Sequence, residues 1–254
     1  IQKFNSSGAF VSMFGWGVDT GASAFETCTS GCQIGLSGSG DGQFSSAGIA
    51  GIALDSSDNI YVVDANNRRI QKFNSSGAFV SMFGWGVTTG ASQFETCTST
   101  CQAGVAGSGD GQFSSPRGIS FDSNDNIYIT DNGNSRFQKF NSSGVYQSKF
   151  GTSGTGNGQF NNPVGIAADS TRNIFVVEAS GQRVQKISLS DISLDLTGLT
   201  CGTTYHYRAF ATNADGTSYG SDATFTTTAC EPPTVETKAA HGVAATAAYL
   251  NGME

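Results

Sequence analysis

The chain has 254 residues, enough for two domains, with 34 glycines and a formal charge of −7. Its 13 Lys and Arg are scattered singly, where a nucleic-acid binder would carry a basic stripe. No apolar run approaches the roughly 20 residues of a membrane span, and no stretch of useful length has helical periodicity.

The glycines recur at fixed offsets between short apolar runs, which reads as regular turns. Ile1–Gly17, IQKFNSSGAFVSMFGWG, opens the chain with two strands around a hairpin. An insert comes next at 18–44, containing FETCTSGC. Gly51–Gly84 then holds four strand-length runs, Ile52–Leu54, Ile60–Val63, Ile70–Phe73 and Phe79–Phe83. They are rich in Ile, Val, Phe and Tyr and bounded by Asp, Asn, Ser and Gly, the pattern of a four-stranded antiparallel meander. Ile70–Gly86 repeats Ile1–Gly17 letter for letter, 69 residues on, and a second insert, FETCTSTC included, occupies 87–113.

The meander returns as Gly118–Asp131 with Phe137–Gly151, and again as Gly165–Glu178 with Val184–Leu189. With the strands of a unit called a to d, the chain holds c–d, then a–b–c–d twice, then a–b–c. Four-stranded units at a period of about 40 to 50 residues signal β-propeller blades, the second period being stretched by its insert. In Asn59–Asp64 both faces tolerate apolar residues, as expected of a sheet packed on both sides. The fold class expected is all-β.

GIALDSSDNIYVVDANNRRIQKF, followed by GDGQFSSPRGI, resembles the NHL repeat, a propeller blade of many extracellular bacterial proteins. The resemblance covers about residues 1–190. It implies that Asn67, Arg68 and Arg69, like Asn134, Ser135 and Arg136, belong to the fold signature at the b–c corner. The fourth unit departs from it with Ser180-Gly181-Gln182-Arg183. Some propellers with this repeat resemble amidating lyases, which need metal-binding histidines. The only histidines here, His206 and His241, lie beyond the blades.

Six cysteines fall in local pairs, Cys28/Cys32, Cys97/Cys101 and Cys201/Cys230. Even number and matched spacing point to disulfides and an oxidising compartment. The alternative for Cys28, Cys32, Cys97 and Cys101 is a four-thiolate zinc site. Asn5, Asn74 and Asn141 each begin Asn-Ser-Ser at the c–d hairpin, as turn residues or as sequons able to carry glycan. Asp55, Asp58, Asp64, Asp122, Asp125 and Asp131 are expected to cap turns, calcium being the weaker reading because their spacing matches no ligand loop. Gly38–Phe44 and Gly107–Phe113, GSGDGQF in both, are expected to be blade-to-blade turns. Trp16 and Trp85 end strand d and are expected to pack at the rim, with carbohydrate stacking as the alternative.

From Asp191 the pattern changes to longer alternating strands, three of them in Leu194–Ala229. This part resembles the second half of a fibronectin type III module, with Tyr205 at the tyrosine-corner position. The resemblance implies that Cys201 and Cys230 meet at one pole of a sandwich, a closure worth roughly 3 kcal/mol. Glu231-Pro232-Pro233 reads as a linker, and Thr234–Gly252 resembles the first two strands of a following module. The expected domains are therefore propeller blades at 1–190 with inserts at 18–44 and 87–113, a half sandwich at 191–230, and a linker with further strands at 231–254.

No GxSxG, HExxH or P-loop pattern is present, and no catalytic residue, cofactor or metal is expected. Ile1 opens inside a repeat, and the units look unfinished, with about three and a half blades where closed propellers take four to eight. Unpaired strand edges invite pairing with other chains. The expected function is non-enzymatic: a secreted or cell-surface structural protein, a subunit of a filament built by strand complementation between copies. The alternative is a fragment of a larger adhesion protein, with a propeller head that binds protein or glycan and a sandwich stalk.

Overall fold

The structure is a computed structural model that describes residues 1–189, 198–208, 210–213, 216–219, 222–229, 241–244 and 247–249. The chain divides into two units, Ile1–Asp191 and Ile192–Glu254.

The first unit consists of antiparallel sheets whose strands follow chain order. β1 (Gln2–Phe4), β2 (Phe10–Trp16) and β3 (Phe25–Cys28) form the first sheet. The second has five strands, β4 (Ile49–Leu54), β5 (Ile60–Asp64), β6 (Arg69–Phe73), β7 (Phe79–Trp85) and β8 (Phe94–Cys97). β9 (Pro116–Phe121), β10 (Ile127–Asp131), β11 (Arg136–Phe140) and β12 (Tyr146–Phe150) make the third, with a 3-10 turn at Asn132–Asn134. A short parallel pair, β13 (Thr152–Ser153) and β14 (Gln159–Phe160), leads into the fourth sheet: β15 (Pro163–Ala168), β16 (Asn173–Glu178) and β17 (Arg183–Ser188).

The inserts are more than rim loops, which corrects the four-strand expectation. Each contributes a fifth strand, β3 or β8, that pairs with strand d in the same register, Met13↔Cys28 and Met82↔Cys97. The pairing places Cys97 and Cys101 over Met82 and Val87, all buried, so the insert brings a small apolar cluster with it.

Alternation along strand b decides which neighbour each residue packs on. Val62 points into a cluster with Phe14 and Phe73, toward the first sheet. Val63 joins Phe83, Phe113, Ile119 and Phe140 toward the third. Between the third and fourth sheets the core is Tyr128, Phe137, Phe160, Ile174 and Val176. Each such fully buried side chain stabilises by about 1.5–3 kcal/mol, and a single sheet could bury only one face. The a strands of successive sheets run backbone to backbone. A Cβ on Gly51 would sit 2.6 Å from Arg117 O, and one on Gly118 2.6 Å from Val164 O, which is why glycine recurs there.

In the second unit β18 (Thr204–Tyr207) pairs with β21 (Ala223–Thr226), and β19 (Phe210–Asn213) with β20 (Gly216–Tyr219). β22 (His241–Ala244) pairs with β23 (Ala247–Tyr249). Where three long strands were expected before Ala229, the described residues there hold four short ones, and the run from Thr204 to Asn213 serves two different pairings. Tyr205 Oη accepts a hydrogen bond from Thr200 N at 2.8 Å, and its ring stacks on Phe225. Cys201 is disulfide-bonded. Cys230, the linker at 231–233 and residues 234–240 lie outside the described residues, as do 190–197.

Candidate interaction surface

The corner between strands b and c is built around a buried ion pair. Asp64 ends β5 and Arg69 begins β6, opposite each other in the ladder. Asp64 Oδ2 accepts from Arg69 Nε at 3.1 Å and from Asn67 Nδ2 at 2.8 Å, and Oδ1 accepts from Ser45 N at 3.2 Å. The rest of the guanidinium donates to backbone carbonyls of the preceding turn: Ser39 O, Gly40 O at 3.1 Å and Gln43 O at 2.7 Å. Gln71 completes the clamp, accepting from Gly42 N at 3.1 Å and donating to Gln43 O. Arg136 and Gln138 repeat it on Ser108, Gly109, Gly111 and Gln112. The GSGDGQF segments are thus blade-to-blade turns whose carbonyls hold the arginine of the next sheet.

The fourth corner keeps this device despite its altered sequence. Glu178 replaces the aspartate and reaches Arg183 Nε at 2.7 Å, and Arg183 donates to Gly156 O at 3.0 Å and Gln159 O at 2.9 Å. Gly181 stands where Asn67 and Asn134 stand. A Cβ there would come 2.6 Å from Glu178 Oε2, so the longer acid fills the space the asparagine leaves. The acceptor turn is a third copy, Gly154–Phe160, that the sequence expectations do not include. Its signal is the Gly-x-Gly-[Asp/Asn]-Gly-Gln-Phe pattern, present three times.

The aspartates take different roles. Asp55 and Asp122 cap the a–b hairpin as expected, Asp55 Oδ1 accepting from Ser57 N and Asn59 N at 3.0 and 2.9 Å. Burial works against ionisation of Asp122, but donors from Asn126, Asn124 and Tyr128 outweigh it and hold its pKa below the ordinary value. Asp64 and Asp131 are not turn caps. They are fully buried partners of arginine, a correction that stems from their place at the end of an inner strand. Asp125, with φ 56°, turns its carboxylate to the neighbouring sheet and accepts from Ser56 N at 2.9 Å. Among the described residues no cluster of three His, Cys, Asp or Glu could hold a metal. The zinc reading fails because Cys28–Cys32 and Cys97–Cys101 are disulfides, with Cα–Cα distances of 5.6 and 5.7 Å.

The second disulfide loop has a partner. Thr100 N and Cys101 N both donate to the carboxylate of Asp41, each at 2.8 Å, so the loop closes on the Gly-Asp-Gly turn of the preceding linker. Asp110, at the same place in the next linker, meets no such loop and pairs with Lys149 at 2.8 Å on the surface. The first loop is built alike, with Gly31 at φ 67° where Thr100 has φ 55°.

Asn5, Asn74 and Asn141 are turn residues. Asn74 Oδ1 accepts from Ser76 N at 3.1 Å and Ala78 N at 2.9 Å, and Asn5 and Asn141 do the same. Trp16 and Trp85 are half-buried at the ends of β2 and β7. His206 Nδ1 lies 2.7 Å from Asp222 Oδ2 on the surface of the second unit.

Among the described residues, β1 and β17 each lack one of the two neighbours that β6 and β11 have. β1 is three residues long and wholly exposed, and a groove of about 580 Å³ lies beside it, lined by Phe4, Val11, Ile52 and Leu54 among others. Among the described residues β17 pairs with β16 alone, and Val184 on the outer face of that sheet is 60 % exposed, where Ile70 and Phe137, covered by the following sheet, are at 0 %.

A model of the NHL repeat matches residues 47–73 and 113–140, the a–b–c stretches of the second and third sheets. No curated protein matches the chain in sequence. Similar solved structures include a Bacteroides thetaiotaomicron VPI-5482 protein of unknown function, 19 % identical, with a TM-score of 0.35 over 54 % of this chain and 46 % of that one. Catalytically inactive virginiamycin B lyase from Staphylococcus aureus, with quinupristin, is 11 % identical over 94 % of this chain and 72 % of that one, with a TM-score of 0.36. A streptogramin B lyase is 12 % identical over 76 % and 71 %, with a TM-score of 0.30. The chain spans less than half the length of the first of these.

Proposed function

We propose that this NHL-repeat chain is a non-enzymatic structural protein of the extracellular space, and that copies of it assemble by adding strands to one another's sheets. The observation that carries this reading is the outer edge of β17, which no described residue pairs, in a sheet whose outer face leaves Val177 and Val184 43 and 60 % exposed. An unpaired edge with apolar side chains is a template for another strand. The exposed apolar groups at the other end, Phe4, Ile52 and Leu54, point the same way.

The non-enzymatic part rests on composition. The first unit carries no histidine, and its four cysteines are all oxidised. Those disulfides fit an oxidising compartment, and no helix of the described residues is long and apolar enough to cross a membrane. The second unit is read as half of a fibronectin type III-like module, supported by the Tyr205–Thr200 hydrogen bond, which has the reach of a tyrosine corner.

Electron microscopy and sedimentation over a range of concentrations test the proposal. Ordered multimers or filaments are expected. Dispersed monomers at high concentration would end it.

A further inference from the structure

The edge of β17 identifies the strand that fits it. β6 and β11, the c strands of the second and third sheets, each pair with strand b on one side and strand d on the other. On the d side the register is Ile70↔Phe83 and Phe137↔Phe150. β17 has the same sequence character, RVQKIS against RIQKF and RFQKF, and a complete b-side ladder to β16. No described residue pairs with the outer edge of β17.

A matching d strand is available on every copy. β2, FVSMFGW, is identical to β7, the strand that pairs with β6. Its inner edge is held by β1, three exposed residues that pair Gln2↔Met13 and Lys3↔Ser12, and by Ile1, whose amino group donates to Phe14 O at 2.8 Å and whose carbonyl accepts from Phe14 N at 2.9 Å. Phe14 of β2 stays buried against Phe73 whichever strand occupies that edge, because it packs through its face and not its edge.

We propose that β2 of a second copy pairs with β17 and displaces its own β1, a step that rests on the reading of the protein as a self-assembling subunit. Repeat equivalence fixes the register as Arg183↔Gly15, Val184↔Phe14, Gln185↔Met13 and Lys186↔Ser12, by analogy with Arg69↔Gly84 through Lys72↔Ser81. The added strand sets Phe14 beside Val184 as Phe83 stands beside Ile70.

A second, independent feature lands in the same place. The disulfide loop Cys28–Cys32 comes directly after β3 on the incoming copy and offers Gly31 N and Cys32 N, equivalent to the two amides that grip Asp41. Neither amide has an acceptor among the described residues. In the joint sheet the turn in front of β15 is Gly154–Phe160, and it holds exposed Asn157 where the first linker holds Asp41. The side-chain oxygen of Asn157 supplies an acceptor for one of the two amides, where Asp41 gives one oxygen to each. Donor strand and acceptor edge lie on different parts of the molecule, so the contact is head-to-tail.

Cysteine pairing between copies tests the register. Ser12→Cys protein mixed with Lys186→Cys protein under mild oxidation is expected to give a covalent dimer, since directly opposed Cβ atoms lie about 4.5–5.5 Å apart. Ser12→Cys mixed with Gln185→Cys is the control, because Gln185 faces the other side of the sheet toward Gly158. A single chain carrying Ser12→Cys and Lys186→Cys is expected to give a covalent ladder. Multimers that form without this cross-link, or that cross-link equally through Gln185→Cys, would overturn the register and leave assembly standing. Neither multimers nor cross-links would end both.

Discussion

Arg69 Nε lies 3.1 Å from Asp64 Oδ2, with both side chains fully buried, and Arg136 stands at the same 3.1 Å from Asp131 one sheet later. The pair joins two adjacent strands, while the remaining guanidinium nitrogens hold the turn that brings in the preceding sheet. Local strand pairing and blade-to-blade packing therefore depend on one side chain.

Removing that side chain leaves a buried carboxylate without its cation and several carbonyls without donors. Arg69→Ala and Arg136→Ala are each expected to destabilise the first unit by about 3–5 kcal/mol. Arg183→Ala should cost less, because its side chain is 31 % exposed and water can replace part of what it provides. Urea unfolding midpoints, read with unchanged m-values, check the order.

Asp41 and Asp110 occupy equivalent turns but do different work. Asp41 accepts two backbone N–H groups of the second disulfide loop, whereas Asp110 forms an exposed ion pair with Lys149. Charge-assisted hydrogen bonds contribute about 1.5–3 kcal/mol, and surface pairs about 0–1. Asp41→Ala should lower the melting temperature measurably, and Asp110→Ala should leave it nearly unchanged.

Glu95 sets an acid limit for the second insert. Burial works against its ionisation, but donors from the Thr89 hydroxyl, the Thr88 and Thr89 amides and Gln93 bring its pKa from the ordinary 4.5 to about 2. A depressed carboxylate contributes stability that is fully present above the unfolded value and fades as pH falls from 4.5 toward 2. The advantage of the native protein over Glu95→Gln, measured by chemical denaturation, should therefore be constant near neutral pH and shrink across that window.

Asn74 uses its carbonyl oxygen on Ser76 and Ala78. Asn74→Asp keeps that acceptor and should leave stability nearly unchanged, while Asn74→Ala should cost about 1 kcal/mol. Thermal unfolding of the two variants separates them.

The strands were legible because they are short, β-branched and aromatic, and end at Asn, Asp and Gly. Repetition made them more so, since IQKF and NIYVVD recur with only small changes. The two local disulfides were the first reading of even number and matched spacing, and the structure removed the zinc alternative. The fifth strands could not: FETC is four residues long and gains its pairing only from the d strand it meets. The role of Arg69 was equally hidden. Its carbonyl partners lie 26 to 30 residues upstream and, at Gln102, 33 downstream, and a backbone oxygen leaves no mark in the residue alphabet.

Sequence by itself determined the kind of element, its repetition and the turns between copies, because those follow from side-chain type and local φ preference. Only the tertiary structure decided which aspartates pair with arginine, which disulfide loop is gripped and which edge is left open. Those outcomes depend on which sheet lies beside which. Val62 and Val63 are identical neighbours in the chain and reach opposite cores, because alternation sends them to different sides.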